Sequence, residues 1–367
     1  MIEELKAHIS NIRGFRTNRK IVIFESDDWG SIRMPSRQVY QDLLKRGIKV
    51  DQCPYNRLDS LERFDDLQRL AEVLSEFRDY NGRPALFTLN YLTANPDFEA
   101  IRANGFKSYV HEGIQKTLRE RDGNNKVWTM LLEGIQAKVF YPQFHGREHL
   151  DIIRWMHLLQ EPESIFRTAF DFRMWGLGPK VIPEINYNIQ AALGTTGEKA
   201  FALQIEALEE GLLQFEQLFG FKSKTYIPTN FVLPEKHTFF LNEKGIKGLQ
   251  GQRFQLFPDG KRKYRYLGQK NAAGQIQLVR NANLEFTEHH KKQVVEQCLL
   301  DIHRAFFWKK PAIISTHRLN FIGGIDERNS AVNLSELRRL LGEILKRWPE
   351  VEFGSSEDVL TSMINEQ

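Results

Sequence analysis

The sequence predicts a parallel α/β fold, closed as a barrel of seven or eight βα units. Two observations carry this reading. Short apolar runs rich in Val, Ile and Phe alternate with amphipathic stretches along the whole chain. Acids, amides and histidines then stand at the C-terminal ends of the runs near 25, 89, 144, 227 and 316, where barrel active sites are built. The competing arrangement is an open doubly wound sheet. No glycine-rich dinucleotide fingerprint follows any run, and Gly194-Thr195-Thr196-Gly197 has neither the spacing nor the preceding strand.

The elements follow in order. Ile21-Val22-Ile23-Phe24 has the length and composition of a buried strand. A helix is expected from about Arg37 to Arg46, stopped by Gly47, and another over 61–77, where Leu61, Phe64, Leu67, Leu70 and Leu74 recur at helical spacing. Ala85 to Leu89 reads as a strand ending in Asn90-Tyr91, and Val127 to Ile135 as a helix. Val139 to Phe144 reads as a short extended run, with His145-Gly146-Arg147-Glu148-His149 leading into an amphipathic helix. The clearest helical stripe is Phe201, Ile205, Leu208, Leu212, Phe215 and Leu218, with Gly220 as its cap. Lys224–Ile227 and Ile246–Leu249 are the next strands, around a helix at 235–244. A helix from about Thr287 to Trp308 precedes the strand Ala312 to His317, and helices at 333–347 and 355–364 flank a last strand at 351–353. Residues 161–198 and 252–283 are loop-rich and are expected to be insertions, the second a hairpin excursion with a basic, solvated face.

A chain of 367 residues without an evident linker or repeat is expected to be a single domain over 1–367. A formal charge of +4 with no basic, aromatic-interleaved stripe argues against nucleic acid. The two cysteines, Cys53 and Cys298, make no disulfide framework. The acidic N-terminus lacks the pattern of a signal peptide, and no stretch approaches the length of a membrane span, so the expected location is cytoplasmic. Nothing in the sequence sets an oligomeric state.

Chemistry concentrates at three places. Glu25-Ser26-Asp27-Asp28 closes the first strand with three acids in four residues. Like charges so close repel, and a divalent cation relieves them by taking one carboxylate as ligand beside a second that stays ionised. The alternative is a polar turn in which Asp27 or Asp28 caps the next helix. His145 and His149 are four apart on an expected helix, so both rings project from one face. With one carboxylate they form a facial triad that leaves positions for water and substrate. His317 ends a buried strand; His289-His290 reads as a solvated helix start.

Ser26-Asp27-Asp28-Trp29-Gly30, His145-x-x-x-His149 and Ser315-Thr316-His317 resemble, in order, the first, second and last motifs of the polysaccharide deacetylases, the NodB-homology or carbohydrate esterase family 4 type, over roughly residues 20 to 355. The resemblance implies a distorted (β/α) barrel that hydrolyses acetyl groups of an acetylated carbohydrate with a divalent metal, zinc foremost. It implies Asp27 as general base, Asp28, His145 and His149 as metal ligands, and His317 as general acid. The family's third motif carries an arginine before a proline. Here Tyr226-Ile227-Pro228-Thr229-Asn230 keeps only the proline, and Arg280-Asn281 is the available replacement. Trp29, Arg147, Asn230 and Arg280 are candidate substrate-groove residues. His145-x-x-Glu148-His149 also fits an inverted zinc-peptidase pattern with Glu148 as base. A non-catalytic glycan-binding barrel is the third reading.

Overall fold

The computed structural model describes residues 8, 11–287 and 291–365; His289 and His290 lie outside the described residues. Its strands, in chain order, are β1 (Ile21–Trp29), β2 (Phe87–Leu92), β3 (Ala94–Pro96), β4 (His111–Gly113), β5 (Phe140–Gly146), β6 (Thr225–Tyr226), β7 (Gly248–Gly251), β8 (Phe254–Leu256), β9 (Arg262–Tyr264), β10 (Ile276–Val279), β11 (Ala282–Asn283), β12 (Ala312–His317) and β13 (Glu352–Phe353). One parallel sheet runs β10-β7-β6-β5-β2-β1-β12-β11, with β13 beside the start of β1.

The two ends of that path are consecutive in sequence. β10 pairs with β7, two residues pass, and β11 pairs with β12. The junction keeps the ladder: Arg280 N–H donates to the Gly251 carbonyl at 2.9 Å and Asn281 N–H to the Ile313 carbonyl at 3.0 Å. Residues 276–283 therefore act as one bent strand that closes a distorted barrel of seven walls. The expected second insertion is shorter than 252–283, because its last eight residues are wall. The hairpin is β8–β9, with Arg262, Lys263 and Tyr264 exposed.

Every residue of β1 and β2 is buried, as a strand packed on both faces requires. The β1 side chains divide by parity. Val22 and Phe24 join the large cluster under the helices Phe64–Ser75 and Glu327–Arg347, including Leu67, Leu70, Leu337 and Leu340. Ile21 and Ile23 join another with Leu278, Ile313 and Leu360. The segment 161–198 holds one helix, Ile165–Asp171, and then runs irregularly over the mouth of the barrel. Among the described residues no helix is long and apolar enough to cross a membrane.

Candidate active site

Consecutive residues of a regular strand point to opposite faces, so Asp27 and Asp28 should not meet at one site. The end of β1 breaks the rule. Its register with β2 slips between Ser26 and Trp29, and Asp28 has φ +76°. A non-glycine residue held there costs about 1–2 kcal/mol, so the surrounding packing must impose it. Gly30, at φ +84°, completes the turn where any Cβ would lie 2.5 Å from the Leu92 carbonyl oxygen. Both carboxylates thus reach the barrel mouth.

Asp27 continues the inward face of Glu25 and is clamped. Arg280 Nη2 donates to its Oδ1 at 2.6 Å and Nη1 to its Oδ2 at 2.8 Å, while Asn90 Nδ2 donates to Oδ1 at 2.7 Å. Arg280 Nε donates to Glu25 Oε2 at 2.7 Å, and Nη1 also to Ser315 Oγ. Burial opposes ionisation of both acids. The two-pronged arginine overcomes it for Asp27, whose pKa is lowered, but not for Glu25, whose pKa is raised. Asp27 therefore stays ionised at neutral pH.

The register of β1 on β12 pairs Asp27 with His317, and His317 Nε2 lies 3.8 Å from Asp27 Oδ2. On the other side of the ring, Nδ1 meets Glu285 Oε1 at 2.5 Å. β11 pairs Asn283 with Ser315, so the same register two residues on brings Glu285 beside His317. Burial disfavours the imidazolium, but Glu285 and then Asp27 more than compensate, and the pKa is pushed up to about 9. His317 is therefore protonated at neutral pH.

The ligand side is built differently. His145 Nδ1–H donates to the Ile227 carbonyl at 2.8 Å, which leaves the Nε2 lone pair facing Asp28 Oδ1 at 3.4 Å. His149 Nε2 faces the same oxygen at 3.3 Å. Burial drives the His149 pKa down to about 4, leaving the neutral imidazole that binds metals. One ligand atom from each of the three residues lies within 4.8 Å of the others. Tetrahedral bonds of ~2.0–2.1 Å, as zinc forms with nitrogen and oxygen, set neighbouring ligands ~3.3 Å apart. The donor set and its spacing fit a divalent cation. The residues that would hold it are Asp28, His145 and His149.

Several expectations change. The histidine pair is not helical: His145 belongs to β5, Gly146 turns the chain at φ +128°, and His149 sits in the turn before the helix Ile152–Leu158. Asp151 accepts from Arg154 N–H as N-cap, which starts the helix only after His149. Trp29 does not reach a groove. It is 0% exposed in the core, its indole donating to Ser26 Oγ. Arg147 is buried and donates to Glu148 and Glu210, away from the cleft. Arg280 is likewise buried against Glu25, Asp27 and Ser315 and is no groove residue. Asn230 does line the cleft, half-buried at φ +51°.

Glu285, Asn90, Arg33 and Tyr55 escaped the sequence reading. Asn90 stands at a strand end, a visible signal; Glu285 needed the β11–β12 register. Tyr55 sets its ring edge-on to His317, 5.4 Å between centroids.

No protein-family model and no curated protein matches the sequence. Solved structures do match. A candidate glycoside hydrolase/deacetylase from Parabacteroides distasonis superposes with TM-score 0.51 at 8% identity, over 96% of this chain and 72% of that one. A chain from Pseudomonas aeruginosa PAO1 named as a probable polysaccharide deacetylase gives TM-score 0.48 at 11% identity, over 95% and 92%. The 4-alpha-glucanotransferase of Thermococcus litoralis gives 0.46 at 10%, over 94% of this chain and 40% of its own, so the chain spans under half of that enzyme. At such identities the likeness is one of fold.

Proposed function

We propose that this chain is a metal-dependent hydrolase that removes acetyl groups from an amino sugar or a surface-glycan precursor. One observation carries the reading. A two-histidine, one-aspartate cluster stands at the mouth of a barrel, flanked by an arginine-clamped carboxylate and by a histidine charged through a second carboxylate. The order of the three motifs, which resembles the polysaccharide deacetylases, supports the same conclusion.

Asp28, His145 and His149 would hold a zinc-type cation, which would supply an acidified water and a Lewis acid for the acetyl carbonyl. The chain supplies the proton traffic. Asp27, ionised and fixed by Arg280 and Asn90, takes a proton from the attacking water. His317 gives its Nε2 proton to the nitrogen or oxygen that leaves as the acyl carbon–heteroatom bond breaks. Glu285 holds Nδ1–H and so fixes the ring. Acetate and the free amine or hydroxyl are the products.

The test pairs metal analysis with acetate release. The wild-type protein is expected to carry one zinc-type ion and to release acetate from acetylated amino-sugar polymers until a chelator removes it. Asp28→Asn should lose the metal, whereas Asp27→Asn should keep it and lose turnover by roughly 10²–10⁴-fold. Acetate release that survives both chelation and Asp27→Asn sinks the proposal.

A further inference from the structure

The cleft before Asp28 has a volume of about 330 Å³ and counts two side-chain cations, Arg33 and Lys180, in its lining. Among the described residues, Asp27 and Asp28 are the acids that line it. Asp27 is matched by Arg280 and Asp28 faces two imidazoles. Arg33 shares Asp28 with those imidazoles and lies near Asp59, which Arg318 already holds, so what sets it apart is unmade donors rather than a missing carboxylate.

Arg33 is 1% exposed. Its Nη2 donates to Asp28 Oδ2 at a long 3.3 Å, and its Nε stands 3.8 Å from Asp59 Oδ2. Asp59 is itself held by two bonds from Arg318 at 3.0 Å. Nε and Nη1 of Arg33 donate to nothing in the chain. The rings of Tyr55 and Trp175 lie 5.3 and 5.1 Å from the guanidinium and fix its plane. Arginine cannot shed its charge, and unmade donors on a buried cation are costly. Lys180 is exposed on the irregular segment over the mouth and forms no ion pair among the described residues. The amides of Asn188 and Asn230, also in the lining, suit sugar hydroxyls.

We propose that the acetylated sugar taken by this cleft is acidic, its carboxylate or phosphoryl group lying against Arg33 and Lys180 while the acetyl group meets the Asp28–His145–His149 cluster. This deepens the hydrolase reading and rests on it. A site with unmatched buried donors discriminates against a substrate that leaves them empty. A neutral sugar does so.

The experiment compares three oligomers of N-acetylglucosamine: neutral, oxidised at C6 to the carboxylate, and phosphorylated at C6. One acidic form is expected to show kcat/KM roughly 10–100-fold above the neutral form, mostly through KM; which one names the group. The preference should shrink severalfold in Lys180→Ala, whose side chain is exposed, and collapse in Arg33→Gln. Added salt should raise KM for the acidic form only. Should Arg33→Gln not fold, Lys180→Ala and the salt series decide. Equal kcat/KM for neutral and acidic forms, or a preference untouched by Lys180→Ala and by salt, overturns the inference. Calorimetry on metal-stripped protein separates the two proposals. If no oligomer yields acetate, the hydrolase reading fails, and the charge preference is then judged by whether an acidic oligomer binds tighter than the neutral one; equal binding overturns it.

Discussion

The two flanks of the cleft are made on opposite plans. On the acid–base flank every charge has its answer within the chain: Asp27 and Glu25 share Arg280, and His317 has Glu285. On the ligand flank two imidazole lone pairs face one carboxylate oxygen at 3.3 and 3.4 Å, and His149 Nδ1 has no partner. The first arrangement is complete as folded and serves to hold protonation states. The second is complementary to something the chain does not supply. Under the proposed function, the difference separates groups that move protons from groups that hold a cation.

The strongest way to break this contrast is to remove the charge shared on the complete flank. Arg280→Met strips two buried carboxylates of the guanidinium they share and should cost about 3–5 kcal/mol of stability, read by denaturant unfolding. Arg280→Lys keeps the charge but loses the fork. Its expected outcome is a folded protein with stoichiometric metal and kcat lowered on the order of 10²-fold. Loss of the metal along with turnover would show that the flanks are not independent. In contrast, added zinc should raise the melting temperature of the wild type and of Arg280→Lys, but not of Asp28→Asn.

A smaller effect sharpens the contrast through pH. The pKa of His317 is raised to about 9, so its acid form is complete well below that value and is lost as pH rises through it. The alkaline limb of kcat should therefore fall near pH 9. Glu285→Gln removes the negative charge that holds the proton, so the limb should move to lower pH while the acid limb, set by Asp27, stays in place. A pH–rate profile of the two proteins checks both statements. An alkaline limb that Glu285→Gln leaves unmoved would remove His317 from the role of acid.

How much of this was legible in the chain depends on the range of the interaction. The barrel was readable because its strands are apolar runs and its polar residues stand at strand ends, both local patterns. Asp27, Asp28, His145, His149 and His317 stood out for the same reason. Trp29 is a groove candidate in the sequence, but the turn at Asp28 sends it into the core. The histidine pair was placed on a helix because spacing of four fits one, and the cap at Asp151 that delays the helix is a single polar residue among several. Arg280 stood out as the available replacement for the missing motif arginine, but its fork on Asp27, like Glu285 beside His317, depends on how residues 276–283 bridge two sheet edges. Register of that kind leaves no periodic trace.

The smallest expected effect bears on the peptidase alternative. In that reading Glu148, one residue before His149, is the base and should be free to face the cation. Its Oε2 instead accepts from Arg147 Nε at 2.6 Å and its Oε1 from Nη2 at 2.7 Å, and Arg147 also holds Glu210. A carboxylate engaged on both oxygens by a buried arginine is poorly placed to take a proton from water, and Glu148 is absent from the lining of the cleft. Glu148→Gln should therefore lower stability, because Arg147 loses one of its two anions, yet leave kcat per folded molecule within about twofold. Titrating the active fraction by bound metal separates the two effects. If Glu148→Gln keeps its metal and loses turnover as fully as Asp27→Asn does, the base lies on the ligand side and the division between the flanks is wrong.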